Sequence, residues 1–374
     1  PCRPAPDPDR AGGAARRLPG ARPLLPEIDQ PMRIPPVLAY VLRRIAISAV
    51  VLLGISAVAF SMAYLLPSDP VTSRYPDITN EQRAEMRRQM GLDQPLLVQY
   101  ARYMQSVFAG EFGRSLGTGN SVGEDLARRI PATLELAVYG ILLGTALGIP
   151  LGMVAAIRRG RPTDHLLRVV NIAIQSVPAF WLGIVLIFVL FYQLRWVPTP
   201  VGRLSPIHSP PPFFIGFYTI DGLVAGKFDV ALAAARQLIL PVLVLGLGVV
   251  SPLARITRAA MGESLGEDYV IFGRALGLGE RQVVLGDAFR GALVPIVTTL
   301  GFVVGNVLAG AAIVETVFSW PGIGRYAVTA ITTSDMAPVS TCILLVASGV
   351  ALTNLLVDLS YALIDPRIRH GYGK

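Results

Sequence analysis

The sequence predicts an all-α integral membrane protein with six transmembrane helices and both termini on the cytoplasmic side. Three observations carry that expectation. The 374 residues are 52% apolar and only 16% charged, with a mean hydropathy of +0.54, too apolar for an ordinary soluble domain. Six apolar runs approach or exceed the roughly 20 residues that a helix needs to cross the hydrocarbon layer. Lys and Arg are unevenly shared between alternate loops, with 20 on the side that holds the N-terminus and 13 on the other, over many more residues. That bias puts the richer side in the cytoplasm, and short loops count most. The net charge of +8 is this bias in sum and is no sign of nucleic-acid binding.

Taken in order, residues 1–31 are rich in Pro, Ala, Gly and Arg without an apolar period, and read as a disordered tail or a misassigned start ahead of Met32. Residues 32–66 form an N-terminal segment and the first span, Ile45 to Leu66. This run is too long for a secretory signal and no small-residue cleavage site ends it, so it is expected to be retained. Residues 67–131 form a helical extracytoplasmic loop. A charged helix starts at a cap-like Thr79 or Asn80 and stops by Gly91, and a second begins after Pro95. In the second, Leu96, Leu97, Tyr100, Tyr103, Met104 and Val107 make an apolar stripe suited to packing on the membrane or the bundle.

Residues 132–369 hold the other five spans, and 370–374 are a short tail. The second span is Leu134 to Ile157, where Gly140, Gly144 and Gly148 recur every four residues as a face for close helix approach. The third, Val169 to Leu194, is expected to kink at Pro178. The fourth, Leu238 to Leu253, is short and is expected to borrow from Ala254 to Ala260. Ala292 to Val314 and Val339 to Leu363 complete the set.

Ionisable groups within spans mark either helix anchors or a wet route, because they are costly in hydrocarbon. Glu135 and Asp358 read as anchors, whereas Glu315 is kept as a candidate lining residue. Uncharged polar groups line a route without trapping solute, so Asn171, Gln175 and Asn306, with Pro178 and Phe180 at the kink, complete the candidate translocation path. Cys2 and Cys342 offer no disulfide framework, and His165, His208 and His370 lack ligand spacing. No phosphate-binding loop, nucleophile triad or paired carboxylates appear. No catalytic role is expected, no cofactor is expected on this chain, and any energy source must lie outside it. A gradient-driven carrier would want an intramembrane ion relay or an inverted repeat, and neither is visible.

The segment "EDYVIFGRALGLGERQVVLGDAFRGALVPI", residues 267–296, interrupts the apolar pattern. Tyr269, Phe272 and Leu276 are at helical spacing, Gly277 and Gly279 break the period, and Glu280 to Phe289 resumes it with Val283, Val284 and Ala288 on one side. Two short helices joined by "GLG" make an elbow that projects from the cytoplasmic side.

That elbow resembles the cytoplasmic coupling segment of ATP-binding-cassette importer permeases, with Gly277 at the motif glycine. The acidic-alanine positions fall on Ile271, Phe272 and Gly273, and the terminal proline position on Arg290, a departure that resembles the peptide-type subfamily. The likeness extends over Met32 to Arg369, through "MGLDQPLLVQYARYM", "RIPATLELA", "SVPAFWLGI", "VETVFSWPGIGRY" and "NLLVDLSYALIDPRIR". These look like the B-type permease of dipeptide, oligopeptide and nickel importers. The resemblance implies a type I importer permease fold in a prokaryotic plasma membrane and coupling through Ala275, Gly277, Leu278, Glu280 and Arg281, with Gly279 between them. It implies a homologous second permease, two ATPase subunits that bind ATP and Mg, and an extracytoplasmic solute-binding protein. The solute it implies is a peptide, with nickel chelates or glutathione as alternatives.

Overall fold

A computed structural model describes residues 36–65, 79–89 and 93–364. The expected tail 1–31 and the closing residues 370–374 lie outside that range. The described residues are helical apart from loops and one isolated bridge between Arg114 and Ser121. Five helical stretches are long and apolar enough to span a membrane, or six if one bent pair counts as a single span.

Helix α1 (Pro36–Leu65) packs along the last helix, α13 (Met336–Ile364), with Arg44 paired to Asp358 at 3.1 Å. Asp358 is therefore an anchor, as its place near a span end suggests. Helix α2 (Asn80–Gln89) opens on a capping box in which the Gln82 N–H donates to Thr79 Oγ1 at 3.3 Å and the Thr79 N–H donates to Gln82 Oε1 at 3.0 Å. Helix α3 (Leu96–Phe108) leans on α1, where Tyr100 hydrogen-bonds Ser56 at 2.7 Å and sits with Tyr103 against Phe60. Only part of the expected stripe is used for this, because Leu96 and Leu97 are exposed.

The centre is a pair of long parallel helices, α4 (Val122–Ile157) and α8 (Phe228–Ser264). Their contact follows the glycine stripe. A Cβ on Gly140 would meet Leu245, one on Gly144 would overlap Val249, and one on Gly148 would press on Leu253. Without these side chains the two backbones close together and bury Leu136, Val249 and Leu253 between them. The fourth span is thus a helix of 37 residues, much longer than Leu238 to Leu253. It extends past Pro252 as expected, and also backwards through residues 228–237, ahead of the expected start at Leu238. Arg236 and Gln237 hide the helix there by interrupting the apolar run.

The stretch expected as the third span breaks at Pro178, as expected, but starts earlier, at Pro162, and bends far more sharply than a kink. It consists of α5 (Pro162–Ser176) and α6 (Ala179–Leu186), the latter continuing as a π-helical stretch to Gln193, and the pair bends by 98°. Pro178 stands immediately before α6, where it lacks an N–H to give to the preceding turn and disfavours helix at Val177. A short helix, α7 (Tyr218–Val224), precedes α8.

Helix α9 (Asp268–Ala275) is the first arm of the elbow. The second arm is not a separate short helix. It begins at α10 (Glu280–Gln282), passes through a π-helical stretch (Val283–Ala288), and runs unbroken into α11 (Phe289–Val317). The uncharged run started late in the pattern only because polar Asp287 and Arg290 interrupt the first turns. Helix α12 (Ile323–Thr332) connects α11 to α13.

Candidate functional site

The elbow closes one end of the α4–α8–α11 bundle. Met261, Val270 and Val283 are fully buried there and form, with Ala156, Ala288 and Ile296, an apolar plug that fixes α9 beneath α11. The bend is a Schellman turn. The Leu278 N–H donates to the Gly273 carbonyl at 3.2 Å and the Gly277 N–H to the Arg274 carbonyl at 2.9 Å. Gly277 has φ +80°, the left-handed conformation that such a turn needs at this position. Nothing lies within 4 Å of a Cβ placed there, so its requirement is conformational and not one of space. Leu278 Cδ1 reaches 3.5 Å from the Cβ position of Gly273, which secures the turn from below.

What faces outward is mixed. Ala275, Glu280, Arg281 and Gln282 are exposed, and Arg274 pairs with Glu280 at 2.8 Å across the bend. Beside them, Ile271, Phe272 and Leu276 are 53%, 63% and 65% exposed, an apolar patch at the tip of the arm. Ile271 and Phe272 were legible only as helix formers, since nothing in a sequence period distinguishes an outward apolar face without a partner from an inward one.

The candidate path residues divide. Asn171 and Gln175 lie on α5 and turn toward α8. Asn171 Nδ2 donates to the Ser251 carbonyl at 3.2 Å, and Arg255 donates to Gln175 Oε1 at 2.7 Å. Pro178 is at the bend, Phe180 is half exposed just after it, and Asn306 is exposed on α11. Glu315 does not join them. It is fully buried, accepts from Thr133 Oγ1 at 2.6 Å and from the Arg325 N–H at 2.9 Å, and ties the far end of α11 to α4. A carboxylate enclosed by donors in this way is an anchor and has no face to offer a solute.

Glu135 belongs to the same far end. Its Oε2 accepts from Arg203 at 2.6 Å, and its Oε1 accepts from the Thr219 N–H and hydroxyl at 3.0 and 2.8 Å. Arg203 also lies 3.6 Å over the Tyr218 ring, so the chain at Arg203 and at Tyr218–Thr219 is gathered at Glu135 of α4. Next to these groups, Trp320 Nε1 donates to the Ala132 carbonyl at 2.8 Å and the Ile323 N–H donates to Thr133 Oγ1 at 2.8 Å. Tyr326 on α12 donates to Asp125 at 3.0 Å, and burial pushes its phenol up to about 12. No three His, Cys, Asp or Glu side chains among the described residues converge as a metal site.

The long apolar helices define a multi-pass helical membrane protein, with an elbow protruding at one end. The chain belongs to the family of binding-protein-dependent transport system inner membrane components, which matches residues 148–370, with the family's N-terminal region matching 37–137. It is a permease subunit of an ATP-binding-cassette transporter and not an enzyme. It is 42% identical over 325 residues to the probable D,D-dipeptide transport system permease protein DdpB of Escherichia coli K12, covering 87% of this chain and 95% of that one. It is 40% identical over 335 residues to the di/tripeptide transport system permease protein DppB of Pseudomonas aeruginosa, covering 89% and 99%. With the glutathione transport system permease protein GsiC of Salmonella paratyphi A it shares 35% over 334 residues, covering 89% and 99%.

Proposed function

We propose that this chain is the B-type subunit of a peptide importer in a prokaryotic plasma membrane, with six membrane crossings and both termini cytoplasmic. It pairs with a homologous second permease. Two ATPase subunits, which hold ATP and Mg, dock at the elbow, and an extracytoplasmic solute-binding protein delivers a di- or oligopeptide at the other end. Residues 67–131 form the outer helical segment, and 132–369 the permease core. The Lys and Arg bias supports the orientation, since the elbow falls on the richer side.

The observation that carries the coupling role is the elbow itself. A Schellman turn at Gly277 holds Ala275, Leu278, Glu280 and Arg281 around a bend whose first arm exposes Ile271, Phe272 and Leu276. A short rigid arm with an apolar tip suits insertion into a cleft, and the continuous helix from Glu280 to Val317 carries its movement through the membrane. Differential binding of ATP to the closed ATPase pair then biases the two permeases between inward-open and outward-open states. The solute path follows the α5–α6 bend past Asn171, Gln175, Pro178 and Phe180, facing Asn306 of α11.

Reconstituting the importer with Leu276→Glu and Leu278→Glu tests the coupling. Membrane insertion should be unchanged while uptake falls at least about ten-fold, the size of a lost interface anchor, and ATP hydrolysis no longer responds to loaded binding protein. Normal uptake would refute the role. Mass spectrometry of the solute carried by the partner binding protein tests the peptide assignment.

A further inference from the structure

Helix α9 is held beneath the bundle by apolar contacts and by one polar joint. Val270 is fully buried in the plug, but apolar burial has no direction of its own and fixes no register. The joint is at Tyr269, whose hydroxyl lies 2.7 Å from Ser264 Oγ at the last residue of α8. Apart from the Arg274–Glu280 pair in solvent, it is the only side-chain hydrogen bond of α9 among the described residues. Ser264 is buried, whereas Tyr269 is 47% exposed, so the bond and not ring burial is what ties it there. The bonded pair is seated on α11. A Cβ on Gly291, in the first turn of that helix, would fall on both the Tyr269 hydroxyl and Ser264 Oγ, and the next nearest atom, Ser264 Cβ, stands at an ordinary 3.5 Å. The backbone at Gly291 is helical and would accept alanine, so glycine is required there by the two oxygens alone.

We propose that Tyr269 is the positioning residue that locks the elbow to α8 and α11 together, so that a displacement of α9 reaches both spans as one movement. The inference rests on the elbow being the joint at which the ATPase docks, and adds where the arm grips the bundle. The plug keeps α9 attached. The hydroxyl pair, directional and fitted to a seat without a side chain, sets its register on α11. Because Gly291 lies in the first turn of α11, within a helix that runs unbroken from Glu280 to Val317, a shift applied there moves the span from its end.

The test uses the assembled importer, with amide hydrogen exchange of this chain followed in the presence and absence of ATP. In the native chain, ATP should change exchange at residues 268–276 of the elbow and also at residues 255–264 and 291–300 of the two spans. In Tyr269→Phe the elbow should still respond, while the ATP-dependent change in both spans falls about five-fold, the worth of one net hydrogen bond. Ser264→Ala should do the same, and the two changes together should do no more than either alone. Gly291→Ala should abolish the span response in the native chain, yet bring it no lower in the Ser264→Ala, Tyr269→Phe background, where both oxygens that the new methyl would meet are gone. A merely structural contact would raise exchange with and without ATP alike and leave the difference between them intact. A span response in Tyr269→Phe equal to the native one overturns the inference while the docking reading stands. An elbow that ignores ATP in the native chain refutes the docking reading, and this inference with it.

Discussion

The two ends of the α4–α8–α11 bundle are held by opposite means. At the far end, residues 132–135 of α4 collect polar bonds from five residues: Trp320 on Ala132, Ile323 and Glu315 on Thr133, and Arg203 with Thr219 on Glu135. Glu135 and Arg203 are buried there as an ion pair, and Glu315 is buried among hydrogen-bond donors. At the elbow, the plug around Met261, Val270 and Val283 is apolar, the Arg274–Glu280 pair lies in solvent, and the buried carboxylate nearby, Asp164, serves to tie α5 to α8 through Arg258. Buried ionic pairs add little net stability but make any alternative packing costly, which suits a fixed anchor. An apolar plug beneath a solvent-facing bend leaves the outer face free for a second protein. The contrast teaches that position in the fold, and not polarity alone, separates buried charge from exposed surface.

Substitutions can break that contrast in graded steps. Arg203→Ala would strand the Glu135 charge in a buried site, and a loss of about 3–5 kcal/mol is expected, read as a large drop in the thermal midpoint of the purified protein. An unchanged midpoint would mean that the far-end network is not an anchor. Gly144→Ala forces a Cβ into Val249 at the centre of the α4–α8 contact, so a cost of about 1–3 kcal/mol is expected, with the α4 and α8 amides exchanging faster. Trp320→Phe keeps the ring buried but removes the bond to Ala132, for about 1–3 kcal/mol, toward the lower end where a water can reach the carbonyl. Gly277→Ala should cost about 1–2 kcal/mol through its positive φ alone, since the space around it is open. Arg274→Ala should cost under about 1 kcal/mol, the worth of an exposed pair, and the same midpoint measurement ranks it last.

How far this was legible from sequence differs along the chain. The glycine spacing at Gly140, Gly144 and Gly148 announced a close helix contact, and the structure supplies its partner, which no local period can name. Pro178 marked a break, but its 98° angle depends on how α5 and α6 each pack on α8 and α11. The ends of α8 and α11 were hidden because Arg236, Gln237, Asp287 and Arg290 interrupt runs that remain helical. Glu135 and Glu315 looked alike in sequence as acids near span ends. Their common role as anchors rests on Arg203, Thr219, Thr133 and Arg325, which come from distant parts of the chain. The elbow was legible because glycine at a turn acts locally, whereas no local period distinguishes the exposed Ile271 and Phe272 from inward-facing residues.

The central claim is that the elbow is where the ATPase engages while the far end only holds the bundle together. The direct test is proximity in the assembled importer, with Leu278→Cys at the elbow and Arg325→Cys at the far end, each in a Cys2→Ser background. The native Cys342 is buried and should stay silent. A short thiol-to-amine cross-linker should join position 278 to an ATPase subunit, with a yield that changes when ATP is added, and should never join position 325 to one. Cross-linking from 325, or none from 278 in a complex that still transports, would contradict the account.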